Sequence, residues 1–255
     1  MVAEHITSRR NPAIIEAVKL LSDAKYRREA GLVAAEGTKL LFDARDSGAE
    51  IKLVIAADDL GTELRQIKAE RIILVPDKLF GSISTQKTPQ GAIFFCARPQ
   101  CGTKLKKGNY AVLDGLQDPG NVGTVIRTAA ALGIDGVVVC GRSADPFGPK
   151  AVRASMGAVF RIPVYVLAPD ELRNECKREG IRLLAAMPTG EAADIRKIGG
   201  GAAAIIIGNE GSGISEELRS VCDGTVTIPM ARGTESLNAA AAAAVILWEI
   251  ARSKL

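Results

Sequence analysis

The sequence predicts an α/β protein in two parts, a small α/β unit followed by a larger parallel sheet covered by helices on both faces. Three observations carry this reading. Short apolar runs recur in the second half at Tyr110–Leu113, Gly136–Cys140, Pro163–Leu167, Arg182–Ala186, Ala203–Ile207 and Thr225–Ile228. Their Val/Ile/Leu content is nearly continuous, as expected of strands buried on both faces, and helical stretches separate them. Between the halves, Cys96–Asn109 lacks apolar periodicity and holds Pro99, Gly102, Gly108 and four basic residues, so it reads as an interdomain linker. The expected division is 1–100, a linker at 101–109, and 110–255.

In the first part, Asn11–Leu21 reads as a helix behind an Asn-Pro start, and Leu32–Ala35 and Ile51–Ala56 read as strands flanking a helix at Gly37–Asp46. A helix at Leu60–Ala69 and strands at Arg71–Val75 and Ala92–Cys96 complete it. In the second part, Ser236-Leu237-Asn238 starts a helix that contains six consecutive alanines, Ala239–Ala244, a composition suited to close packing.

Composition narrows the function classes. The 255 residues are 47% hydrophobic, enough for a substantial core. No apolar run follows Met1, and the longest apolar candidate, Ala239–Trp248, is about half a membrane span, so a soluble, cytoplasmic protein without a membrane partner is expected. Ser253-Lys254-Leu255 matches a peroxisomal address, but a helix end carrying Arg252 and Lys254 accounts for the same residues. The five cysteines are scattered without a Cys-x-x-Cys and the single histidine, His5, sits in a terminus expected to be disordered. That argues against a metal site and His-based catalysis, and for reduced structural thiols, with Cys140 and Cys222 expected to be buried. Residues 1–109 carry 18 Lys+Arg against 13 Asp+Glu, whereas 110–255 carry 15 against 16. The first half is therefore suited to gripping a polyanion, although solvated helix faces account for the same imbalance.

Three polar clusters fall at strand ends, where ligands collect in sheets of this kind. The first is Asn121-Val122-Gly123 with Arg127, after Leu113-Asp114; the second is Gly208-Asn209-Glu210-Gly211-Ser212-Gly213; the third is Glu235-Ser236-Leu237-Asn238, after Ile228-Pro229-Met230. The second is not a dinucleotide fingerprint, because Glu210 stands where glycine is required and would face a pyrophosphate; nor is it a P-loop, since no Lys-Ser/Thr follows. Packing alone explains many glycine-rich turns. Asn121 is suited to capping a helix or to holding a neighbouring side chain, and Arg127 lies about a turn and a half further on.

Together and in this order, the three clusters resemble motifs 1, 2 and 3 of the SpoU (TrmH) family of RNA ribose 2'-O-methyltransferases. The resemblance covers residues 110–255 and implies a SPOUT-type parallel sheet with a carboxyl-terminal deep trefoil knot, preceded by a small α/β RNA-binding domain, in a homodimer. A knot is an exception to topology rules, so periodicity does not predict it. The implied cofactor is S-adenosylmethionine, held by Met187, Gly208, Asn209, Gly211, Ile228, Met230, Ser236 and Leu237. The implied catalytic set is Arg127, Asn121, Glu210, Ser236 and Asn238. Glu36-Gly37, Lys39 and Thr85–Gly91 resemble the substrate-binding domain that many members carry.

The implied reaction moves a methyl group from a sulfonium to a ribose hydroxyl, with 23S-type ribosomal RNA favoured over tRNA as substrate. Family proposals make the arginine a general base, yet a guanidinium keeps its proton to a pKa above about 12, so orienting a phosphate and stabilising the alkoxide suits Arg127 better. A non-catalytic RNA-binding member of the fold and a tRNA guanine-N1 methyltransferase are the competing readings. Retention of all five polar residues opposes the first, and the second requires, besides an acidic base near the knot, different motif sequences.

Overall fold

The computed structural model describes residues 3–100, 102–188, 192–234 and 236–252. The chain forms two compact units: Met1–Gln100 with Phe147–Arg153, and Cys101–Pro146 with Ala154–Leu255.

In the first unit, β1 (Glu4–His5), β2 (Leu32–Glu36), β3 (Ile51–Ala57), β4 (Ala69–Val75) and β5 (Ala92–Ala97) form a sheet in the order β1-β4-β3-β5-β2. β3 is parallel to β4 and antiparallel to β5, which pairs antiparallel with β2. Helix α1 (Pro12–Ser22) begins where Asn11 accepts a hydrogen bond from Ala13 N, and it buries Ala13, Ile14, Ala17, Leu20 and Leu21 against the sheet's core. α2 (Ala24–Glu29) is capped by Asp23 and buries only Arg27, so no apolar stripe announced it. α3 (Thr38–Asp46) and α4 (Asp77–Ile83) complete the unit.

Two expectations fail here. The helix expected over Leu60–Ala69 is two 3-10 turns, Asp58–Gly61 and Glu63–Gln66, followed by extended backbone and by Ala69 paired with Ile51. Leu60, Leu64 and Ile67 have helical spacing, but Gly61 and Thr62 are weak helix formers and the ladder captures the end of the segment. His5 is not in a disordered end: it belongs to β1, beside Leu74 of β4, and the neighbouring Glu4 is clamped by Arg71 through two bonds of 2.7 Å.

Buried Glu36, at the end of β2, accepts bonds from Ser84 Oγ (2.6 Å), Gln90 N (3.3 Å) and Thr85 N (3.4 Å), which fastens the exposed 84–91 loop. A carboxylate this buried is tolerated because donors surround it.

In the second unit, β6 (Tyr110–Asp114), β7 (Gly136–Cys140), β8 (Val164–Val166), β9 (Arg182–Ala186), β10 (Ala193–Asp194), β11 (Ala203–Ile207) and β12 (Gly224–Thr227) form a sheet in the order β10-β12-β9-β11-β6-β7-β8. Every pairing is parallel. β6, β7 and β11 are buried throughout, in keeping with their unbroken apolar runs. The helices are α5 (Pro119–Ala131), α6 (Pro149–Ala154, most of it grouped with the first unit), α7 (Pro169–Glu179), α8 (Glu216–Val221) and α9 (Ala239–Ala251). α9 packs its alanine-rich face on α5 and β11, where small side chains permit close approach. No helix among the described residues is long and apolar enough to cross a membrane. Ser253-Lys254-Leu255 lies outside the described residues.

Cys96, Cys140 and Cys176 are buried, and burial pushes each thiol up to about 12. Cys222 is only half-buried, contrary to expectation; it is the residue that ends α8, beyond Val221.

Asn109 ties the unit together. Its Oδ1 accepts from Ala203 N (3.1 Å), its Nδ2 donates to Ile250 O (3.4 Å), and its backbone N donates to Asp135 Oδ2 (2.7 Å). One buried amide thus joins the start of β6, the start of β11 and the end of α9. Asn109→Ala leaves a buried N–H and C=O without partners and is expected to cost about 1–3 kcal/mol, read as a lower urea midpoint with unchanged slope.

Candidate active site

Three loops at the carboxyl ends of adjacent strands line a half-open cavity of about 360 Å³. Met187 and Pro188 follow β9, Gly208–Gly213 follow β11, and Ile228, Met230, Ser236 and Leu237 come from the chain after β12. Ala239, Ala242 and Ile246 of α9 form a further wall. The floor is mostly aliphatic, so an occupant's polar groups have chiefly backbone and a few side-chain partners to meet.

The Gly208–Gly213 turn doubles back on itself. Asn209 and Gly213 exchange two backbone bonds of 2.9 Å, and Asn209 Oδ1 accepts from Gly211 N (2.8 Å) and Ser212 N (3.0 Å). Asn209 Nδ2 donates to Gly115 O (2.9 Å), pinning the turn to the end of β6. A Cβ on Gly208 would fall 2.5–2.6 Å from the backbone of Gly213 and Ile214, so only glycine fits there. Gly213 supplies the left-handed backbone, at φ 71°, that closes the turn. Of these two, the sequence reading assigned Gly208 to the cofactor; close packing requires glycine at 208 and positive φ favours it at 213, independently of any ligand.

All eight residues expected to hold the cofactor (Met187, Gly208, Asn209, Gly211, Ile228, Met230, Ser236 and Leu237) line this one cavity. Of the expected catalytic residues, Glu210 and Ser236 also line it, and Asn121, Glu210 and Asn238 form a chain. Asn238 caps α9, its Oδ1 accepting from Ala240 N (3.0 Å) and Ala241 N (3.3 Å). Its Nδ2 donates to Asn121 Oδ1 (3.4 Å), and Asn121 Nδ2 donates to Glu210 Oε1. Segments 117 residues apart meet here.

Asn121 does not cap α5. Asp118 does, accepting from Gly120 N (2.9 Å) with Pro119 in the first turn, which leaves the Asn121 amide free to bridge. Arg127 stands apart from the chain. It is exposed on α5, does not line the cavity, and makes no hydrogen bond or ion pair among the described residues. Six residues from Asn121 it is about 9 Å further along the axis, with its guanidinium open to solvent.

Sequence reading missed Asp114. This buried carboxylate accepts from Ser215 N (2.6 Å), so the end of β6 holds the start of α8 and the far side of the glycine turn. The signal was an acidic residue ending an otherwise apolar strand. Pro188, Ile214, Thr227 and the inner face of α9 also line the cavity. Apolar walls carry no sequence signal distinct from core.

Residues 108–248 match the SpoU rRNA methylase family. The chain belongs to that family. Residues 11–93 match the MRM3-like substrate binding domain. The chain is 31% identical to the 23S rRNA (uridine(2479)-2'-O)-methyltransferase of Streptomyces viridochromogenes, over 99% of this chain and 93% of that one. It is 30% identical to the 23S rRNA (guanosine(2553)-2'-O)-methyltransferase of Bacillus subtilis, over 91% and 93%. The AdoMet-bound rRNA methyltransferase from Sinorhizobium meliloti superposes with a TM-score of 0.88 at 30% identity, covering 99% and 98% of the two chains.

The turn's geometry predicts a contrast between neighbouring glycines. Gly208→Ala forces backbone to move and is expected to destabilise the second unit by about 1–3 kcal/mol. Gly211→Ala, whose Cβ meets only Asn209 Oδ1 at 3.5 Å, is expected to change little. Urea titration of both variants reads the difference.

Proposed function

We propose that the protein transfers the methyl group of S-adenosylmethionine to a ribose 2'-hydroxyl of RNA, with 23S-type ribosomal RNA as its substrate. The observation that carries this is the junction of a half-open cavity with a polar chain at its edge, because the reaction needs a bound sulfonium and an ordered set of acceptors and donors beside the attacking oxygen. Family membership and the named activities of relatives matching nearly the whole chain support the same reading.

Met187, Gly208, Asn209, Gly211, Ile228, Met230, Ser236 and Leu237 hold the cofactor, which supplies the electrophilic methyl group. Loop backbone meets its polar parts and the aliphatic walls exclude water. Asn121, Asn238 and Ser236 order the ribose end. Arg127, free to meet an incoming RNA, orients a phosphate and stabilises the oxygen as it loses its proton. The convergence of the chain after β9, β11 and β12 on one cavity is compatible with a deep trefoil knot, which we infer from the resemblance.

Residues 1–100 form the RNA-binding domain, 101–109 the linker and 110–255 the methyltransferase domain. The first of these assignments is supported by the positive surplus of residues 1–109, by the family match over 11–93 and by the fastened loop that carries Lys87. A cytoplasmic location fits action on ribosomal RNA. A homodimer is supported by Val245 and Trp248, neighbours on the outer face of α9 that are 44% and 53% exposed, with Leu237 near the same helix's start. Light scattering at micromolar concentration is expected to give twice the chain mass of 26.8 kDa; the single-chain mass would oppose the dimer.

Labelled-methyl transfer to total RNA, followed by nuclease digestion and separation of ribosomal from transfer RNA, tests the activity and the substrate together. Label recovered in a base, or only in transfer RNA, would refute the corresponding part. In the same assay, Arg127→Ala is expected to bind S-adenosylmethionine normally by calorimetry and to lose about a hundredfold or more in single-turnover rate. Arg127→Lys rescues little, since a point charge does not reproduce a planar fork.

A further inference from the structure

We propose that Glu210 accepts the proton of the ribose 2'-hydroxyl during methyl transfer, with Asn121 and Asn238 as the residues that position its carboxylate. This rests on the function proposed above. In the transfer a carbon–oxygen bond forms, the sulfonium's carbon–sulfur bond breaks with its electron pair returning to sulfur, and the O–H proton leaves. The thioether product has little basicity, so the proton needs another acceptor.

Among the described residues that line the cavity, Glu210 is the only one with a group that titrates. The remainder are aliphatic residues, glycines, methionines, a proline, hydroxyls and the Asn209 amide, which is already engaged in holding its turn. Arg127 does not line the cavity, and a guanidinium is a poor proton acceptor.

The direction of the hydrogen-bond chain is set at its far end. Asn238 Oδ1 accepts two backbone N–H groups of α9, which leaves Nδ2 to face outward. That nitrogen donates to Asn121 Oδ1, so Asn121 Nδ2 faces Glu210 and donates to Oε1. Both amide orientations follow from the network. Oε2 of Glu210 has no donor among the described residues, at the edge of the cavity proposed for the sulfonium.

In the step a carboxylate and a sulfonium become a carboxylic acid and a thioether, with Glu210 standing at the exposed rim of the largely aliphatic cavity. The charged groups on the surrounding elements are Asp118, which caps α5, Arg127 of α5, Arg232 after β12, and Glu216, Glu217 and Arg219 of α8; none forms an ion pair with Glu210 among the described residues. Glu235 lies outside those residues and is tested directly.

Single-turnover transfer with saturating RNA, measured across pH, tests the assignment. The wild-type rate is expected to fall on the acid side as the acceptor protonates. Glu210→Gln should lose about a hundredfold to ten-thousandfold and lose that acid limb as well. Glu210→Asp should keep the limb at a lower rate, and Glu210→Ala should regain activity when formate is added, which a purely structural carboxylate would not do. Glu235→Gln should keep both rate and limb. An acid limb that persists in Glu210→Gln overturns the proposal. So does a variant whose loss tracks weakened S-adenosylmethionine affinity by calorimetry, since the carboxylate would then serve the sulfonium. A wild-type chain that methylates no RNA removes the underlying function, and the proposal with it.

Discussion

The second unit depends on the closure of the Gly208–Gly213 turn. Two backbone bonds between Asn209 and Gly213 make a loop so tight that Gly208 has no room for a Cβ, and the Asn209 amide anchors it to Gly115 at the end of β6. Without this closure, β11 would lead into α8 by a wider path, and Glu210 would have no fixed relation to Asn121. The constraint is steric and hydrogen-bonded at once, and it holds Glu210 at the edge of the cavity, where Asn121 meets it.

The same device appears at a smaller scale elsewhere: a buried polar side chain at a strand end saturates the donors of an irregular segment. Asp114 does so for the start of α8, Glu36 for the 84–91 loop, and Asn109 for the junction of β6, β11 and α9. Each is buried, and each would cost stability if its partners were removed. In a fold whose strands are almost wholly aliphatic, these few polar atoms decide where the loops lie. The parallel sheet provides the platform, because its strand ends gather the loops on one side.

The division of labour around the cavity follows from residue type. Aliphatic and backbone groups form the enclosure, suited to a ligand with an adenosine and a thioether-like body. The Asn238–Asn121–Glu210 chain forms a polar edge, the one proposed as reactive, anchored in the first turn of α9. Arg127 belongs to neither group in the isolated chain, which accords with a side chain whose partner is the RNA.

Much of this was legible beforehand. Continuous apolar runs marked six of the second unit's strands within a residue or two, since burial on both faces writes itself into composition, and the polar clusters stood at the strand ends where they are found. The short elements were not legible: β10 has two residues, α2 buries only Arg27, and the Leu60–Ala69 segment has helical spacing that pairing with β3 overrides. Sequence by itself determined the class of fold, the family resemblance and the eight residues around the cavity. Only the tertiary structure decided that Asp118 and not Asn121 caps α5, that Asn121 joins Glu210 to Asn238, and that Arg127 stays apart. Burial and periodicity are local properties that each segment records for itself. A hydrogen bond between residues 117 positions apart is a property of how the sheet brings its strand ends together, and no segment records it alone.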